Sequence, residues 1–135
     1  MFDGRTHLNT LHRREGDRHE QFWTLPHVPG PRFGGTKPLY VLTSGVTFSA
    51  AEELAYDLQQ PGRAVVVGER TAGGAHPCDS WQVHPHLELT VPIARAVNPV
   101  SGTNWEGMGV LPDIPCAAAD APGVALAQAR ARIAG

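Results

Sequence analysis

Residues 40–69, YVLTSGVTFSAAEELAYDLQQPGRAVVVGE, restrict the chain to a narrow choice of folds. LYVLTS is short, β-branched and aromatic, which marks a strand covered on both faces. Ala51, Leu54, Ala55 and Leu58 then recur at i, i+3, i+4 and i+7, one apolar face of a helix. Pro61-Gly62 ends that helix, and AVVVGE supplies a second covered strand. Strand, helix and strand within about 30 residues make a βαβ unit. Two strands joined by such a crossover lie parallel. The expected class is therefore α/β, with this unit at its centre.

Patterning is weaker on either side. Residues 1–37 carry a run of charges between Arg5 and Arg18, with apolar anchors only at Phe22, Trp23, Leu25 and Val28. Pro26, Pro29 and Pro31, followed by Gly34 and Gly35, mark a loop. We expect residues 1–37 to be an irregular lead-in to the same domain, whose main body is 38–135. A domain seldom opens with so long an unpatterned stretch, so the chain reads as the back part of a larger unit. Downstream, Trp81–His84 reads as a short strand. Leu87, Leu89, Val91 and Ile93 alternate with Glu88, Thr90, Pro92 and Ala94, a half-buried strand in which Pro92 marks an edge or a bulge. NPVSGTNWEGMG is expected to be a loop, VLPDI a short extended piece, and residues 122–134 an Ala-rich helix.

Composition narrows the partners. A length of 135 residues suits one domain. A net charge of −2 without basic or acidic blocks gives no reason to expect nucleic acid. No apolar run approaches the roughly 18 residues of a membrane span, and MFDGRTHLNTLHRREGDRHE has no signal-peptide core. The compartment stays unread. Cys78 and Cys116 lack metal spacing and are expected to be small buried apolar residues. His84 and His86 flank Pro85 with no third ligand in view, so neither a metal nor another cofactor is expected. Abundant Ala, Arg, Gly and Pro point to a GC-rich bacterial genome. The cations comprise ten Arg and one Lys, Lys37.

Ser49 admits two readings. Ser49-Ala50-Ala51-Glu52 fits the capping box S-x-x-E, in which serine and glutamate satisfy each other's backbone N–H groups. The same serine, on a strand-to-helix turn with small neighbours, is also placed to act as a nucleophile. The helix N-terminus behind it carries partial positive charge, and the Ala50 N–H is a candidate oxyanion donor. Local pattern leaves both readings open.

VLTSGVTFSAAEELAYDLQQPGRAVVVGERTAGGAHP closely resembles the nucleophile region of the tail-specific, or C-terminal processing, serine peptidases. Its pattern is nearest the branch related to interphotoreceptor retinoid-binding protein and tricorn protease. The likeness runs from about Phe2 to GVLPDI. It implies the α/β fold of stacked βαβ units seen in ClpP and crotonase, here incomplete, with only the C-terminal portion of the catalytic domain present. Ser49 matches the nucleophile. The better-known members pair it with a lysine 25 residues later, where this chain has Gly74, and Lys37 lies upstream, so the usual serine–lysine dyad is excluded. The tricorn-like branch instead uses a histidine oriented by a distant glutamate, and NWEGMGVLPD makes Glu106 that glutamate.

The resemblance places the histidine in a segment before the nucleophile that is not matched here. His7, His12, His19 and His27 sit in no corresponding motif and are expected to be surface or loop residues. His76, in TAGGAHP, is expected to line the cleft, with the role of base as its alternative. Gly73 and Gly74 would allow close backbone approach to a peptide. Trp105 is expected in the core, and Asn104 is a candidate partner of Glu106. The implied partner is a peptide or protein substrate cleaved through an acyl-enzyme. The rival reading is a non-catalytic module binding a retinoid, a fatty acid or a peptide. A third is an inactive fragment, which would expose apolar surface and self-associate through it.

Overall fold

The parallel pair expected at the centre is present in the computed structural model, which describes residues 1–134. We number the strands in chain order. β3 (Tyr40–Thr43) and β4 (Val65–Gly68) pair in parallel from Tyr40↔Val65 to Thr43↔Gly68. β8 (Ile114–Pro115) adds to the far side of β4, also parallel, giving the order β3-β4-β8. Helix α1 (Ala50–Gln59) makes the crossover between β3 and β4. A second helix, α2 (Ala121–Ala134), ends the described chain.

Alternation along β4 explains the layering. Val66 and Val67 are both 0% exposed, yet they belong to different clusters. Val66 packs with Ala55 and Tyr56 of α1, and with Ala75, Trp105 and Val110. Val67 packs with Ala121 and Ala125 of α2, flanked by Tyr40, Val65 and Ile114. Successive strand residues face opposite sides, so VVV is continuous in hydropathy because both faces are covered by helix.

The lead-in does not match the expectation of an irregular segment. β1 (His7–Arg13) and β2 (Arg18–Trp23) form an antiparallel hairpin. β1 also pairs with β7 (Ala94–Val97), from Thr10↔Val97 to Arg13↔Ala94, so residues 7–23 belong to a three-stranded sheet. Hydropathy hides this sheet because its buried residues include polar ones. Asn9 is fully buried, donates to Glu53 Oε1 (2.8 Å) and accepts the Val97 N–H (3.1 Å). Across the hairpin, His12 stacks on His19 with ring centroids 4.0 Å apart, and His7 stacks on Trp23 at 4.5 Å. Such cross-strand pairs stabilise a register without an apolar repeat.

Three further expectations are corrected. β5 (Cys78–His84) is longer than the Trp81–His84 strand read from the sequence, and it pairs with β6 (Leu87–Pro92) in a two-stranded hairpin. β6 is not half-buried: only Val91 is partly covered, and Leu87 and Leu89 are exposed. The thiols are not both buried either. Cys78 is exposed on the hairpin, Cys116 is half-buried, and neither is in a disulfide. Among the described residues no helix is long and apolar enough to cross a membrane.

Candidate active site

Ser49 caps α1 and departs from ordinary cap geometry. Its backbone lies at φ 55°, ψ −123°, one of only two non-glycine residues with positive φ among those described. An N-cap residue needs only the extended region. A side chain held in this sparsely populated region costs on the order of 1–3 kcal/mol. The preceding turn enforces it: Thr47 N–H donates to the Ser44 carbonyl (3.0 Å), and the Thr47 hydroxyl accepts the Ser44 N–H (3.0 Å). The capping box is nonetheless closed, with the Glu52 carboxylate accepting the Ser49 N–H at 2.8 Å. Both readings of the serine therefore coexist in one turn. The cap accounts for the helix start, and the strained backbone presents an exposed hydroxyl at a strand-to-helix elbow. The Ala50 N–H, next along, donates to nothing among the described residues. It stands free for an incoming oxygen.

Glu52 does more than cap. It is 0% exposed. Oε2 takes the N–H of Ser49 and of Gly74 (2.8 Å), while Oε1 takes the N–H of Gly73 (2.7 Å) and the Thr71 hydroxyl. Burial pushes this carboxyl up. The hydrogen bonds from Thr71, Gly74, Gly73 and Ser49 outweigh that and hold it below the ordinary glutamate value. Sequence reading found Glu52 only as the capping partner. Its grip on residues 71–74 had no sequence signal beyond the glycines themselves.

Glu106 continues the arrangement. Its Oε2 accepts the N–H of Ala75 (2.6 Å) and of His76 (3.1 Å), and lies 3.9 Å from His76 Nδ1. The last distance is an ion-pair separation, too long for a hydrogen bond. Asn104 Oδ1 accepts the Glu106 N–H (2.9 Å), and Asn104 Nδ2 anchors to the Ala96 carbonyl (2.7 Å). Trp105 is buried against Tyr56, with ring centroids 5.3 Å apart, and its indole N–H reaches the Gly74 carbonyl (3.1 Å). The structure thus brings Glu106 beside His76, and ties Ser49 to the same glycine loop through Glu52. Among the described residues no histidine hydrogen-bonds the Ser49 hydroxyl.

Gly73 and Gly74 are engaged inside the protein. Gly73 adopts φ +93°, and its carbonyl accepts the Gly107 N–H (2.9 Å). A Cβ on Gly74 would fall 2.2 Å from the Phe48 ring, so any side chain at that position must first displace Phe48. Gly109 meets main chain rather than a side chain. Gly109 sits at φ +70°, and a Cβ there would lie 2.2 Å from the Thr71 carbonyl oxygen. Gly109→Ala is therefore expected to cost about 3 kcal/mol, combining backbone strain with overpacking against main chain. A urea titration followed by tryptophan fluorescence checks this, and a loss below about 1 kcal/mol would contradict it.

Comparison with known proteins bears on the family and the fold. The profile of peptidase family S41 matches residues 1–116. The fold is similar to that of the photosystem II D1 C-terminal processing protease, with 26% identity and a TM-score of 0.64 over 93% of this chain and 32% of that one. Mature CPAF is similar over 74% of this chain and 20% of its own, at 28% identity and a TM-score of 0.56. A lipoprotein from Streptococcus agalactiae shares the fold at 17% identity and a TM-score of 0.66, covering 94% of this chain and 45% of that one. The chain thus spans less than half the length of each of these relatives. The α/β core, the serine elbow and the family match converge on one assignment: this chain belongs to peptidase family S41.

Proposed function

We propose that the chain carries the nucleophile portion of a serine peptidase of the tricorn and retinoid-binding-protein-like branch, acting on peptide or protein substrates. The backbone of Ser49 carries this reading: a φ of 55° at an exposed serine heading a helix is strain that a cap does not require. In the proposed reaction Ser49 Oγ attacks the peptide carbonyl while a histidine takes its proton. The oxyanion accepts the free Ala50 N–H, and Glu106 orients the histidine. The histidine then passes its proton to the leaving amine, and water hydrolyses the acyl-enzyme. That histidine is supplied from outside this segment, or is His76, which already stands beside Glu106.

One observation favours the rival, a lipid- or peptide-binding module. A cavity of about 490 Å³ opens beside α1, lined by Leu8, Phe22, Leu25, Val28, Leu54 and Leu58. The deciding experiment is labelling with a fluorophosphonate probe. It is applied to this chain, and to this chain joined behind the upstream catalytic segment of a tricorn-like peptidase, which carries the histidine. Labelling is expected at Ser49, lost in Ser49→Ala, and reduced roughly a hundredfold in Glu106→Ala as the base loses its orientation. If neither protein is labelled, catalysis fails and the apolar cavity becomes the functional site.

A further inference from the structure

We infer that the basic cavity next to Glu106 is a subsite for a carboxylate of the peptide substrate, an inference that rests on the peptidase reading. The cavity holds about 450 Å³ and is lined by His76 on one side and by His12, Arg13, Arg14 and Asp17 on the other, with Ile93–Arg95 closing it. This volume suits one or two amino-acid side chains. His76 follows the loop that Glu52 ties to Ser49, so the cavity lies at the far end of the same braced segment.

The charges within it are not balanced internally. Arg13 is taken by Glu20 (3.0 Å), and Asp17 faces His19 (3.6 Å). Arg14 and Arg95 are exposed and make no ion pair among the described residues. His12 and Arg95 are directly opposed across β1 and β7, so both project from the same face of the sheet. His12 stacks on His19 there as well. The His12 pKa is lowered by burial first, then by His19 and Arg95, with Asp17 opposing. The lining itself carries Arg13, Arg14 and Arg95 against Asp17, with Glu20 and Glu106 standing just outside it. Guanidinium groups hold carboxylates by two parallel N–H···O bonds. Two unpaired guanidinium groups at the rim of a cavity of side-chain size form a receptor for that group.

The test uses the Ser49→Ala protein, so that turnover cannot obscure binding, and reads fluorescence anisotropy of labelled hexapeptides. The peptides differ only in a central Glu or Gln, each with a free or an amidated C-terminus. A peptide bearing the recognised carboxylate is expected to bind about tenfold more tightly than its neutral counterpart. The preference should shrink in roughly 0.5 M salt. Arg95→Ala should remove the preference without weakening the neutral peptide, and Arg95→Lys should keep part of it. A preference for Glu over Gln makes the carboxylate a side chain; a preference for free over amidated peptide makes it the terminus. Equal binding of all four peptides, no binding of any, or a preference surviving combined Arg14→Ala and Arg95→Ala overturns the subsite. Fluorophosphonate labelling reads the nucleophile alone and peptide binding reads the cavity alone, so the two proposals fail separately.

Discussion

Replacing Glu52 with alanine is expected to lower stability by about 3–5 kcal/mol, as for removal of one partner from a buried charged network. The substitution strands the N–H groups of Ser49, Gly73 and Gly74 and the Thr71 hydroxyl, and leaves a hole under the serine elbow. Without that brace only the Ser44–Thr47 turn is left to hold Ser49 at φ 55°, so probe labelling should fall with stability. Glu52→Gln keeps the shape but turns an amide NH2 toward donors, and should cost about 1–3 kcal/mol. The pH dependence gives an independent check. The carboxyl is held below the ordinary value, so the unfolded chain binds more protons as the medium acidifies. Stability from this group is complete above the ordinary glutamate range and drains away as pH falls through the lower folded value. Urea unfolding from neutral pH down to about pH 3 should show this acid loss in the native protein and a flatter limb in Glu52→Gln. A Glu52→Ala protein within about 1 kcal/mol of the original would refute the bracing role.

The second large effect has the opposite sign. Asp57, on the same helix, is 7% exposed, and its carboxyl is pushed up to about 7. Burial is the main cause; the hydrogen bond from Asn98 (3.0 Å) opposes it, and neighbouring Glu53 adds to it. Between the unfolded value of 3.8 and about 7 the folded protein holds a proton that the unfolded chain releases. Stability contributed here therefore falls as pH rises across that window, and the full penalty stands above it. Asp57→Asn keeps an oxygen for the Asn98 amide and cannot ionise. It is expected to be more stable than the original by on the order of 2 kcal/mol at about pH 8, less than the full shift implies because Asp57 borders the open cavity beside α1. The two proteins should converge near pH 4. Thermal melts at both values decide it: a variant no more stable at the higher pH would show that Asp57 ionises without penalty. Taken together, Glu52 weakens the fold as the medium acidifies and Asp57 weakens it as pH rises to neutral.

The sequence showed most clearly what local forces decide. The βαβ unit was legible because Ala51, Leu54, Ala55 and Leu58 and the two valine-rich strands carry their periods within 30 residues. The β1–β2 hairpin was not, because Asn9 and Thr10 are polar core residues, and Asn9 finds its partners at Glu53 and Val97 only after folding. At the candidate site, S-x-x-E revealed the cap, while the strain at Ser49 is a backbone property that no residue type announces. Glu106 could be singled out only through the family resemblance. Its partners Ala75 and His76 lie about 30 positions away, and nothing in local pattern joins a loop glutamate to them.

The glycine loop has a consequence for how a substrate can lie. The N–H groups of residues 73, 74, 75 and 76 all point at two carboxylates, Glu52 for the first pair and Glu106 for the second. The carbonyls of Gly73 and Gly74 are engaged by Gly107 and by the Trp105 indole. An extended peptide cannot zip onto this segment as an added strand, because the main-chain groups that β-augmentation requires are already taken. The loop is a fixed wall rather than a template, and a bound chain must draw its backbone partners from elsewhere.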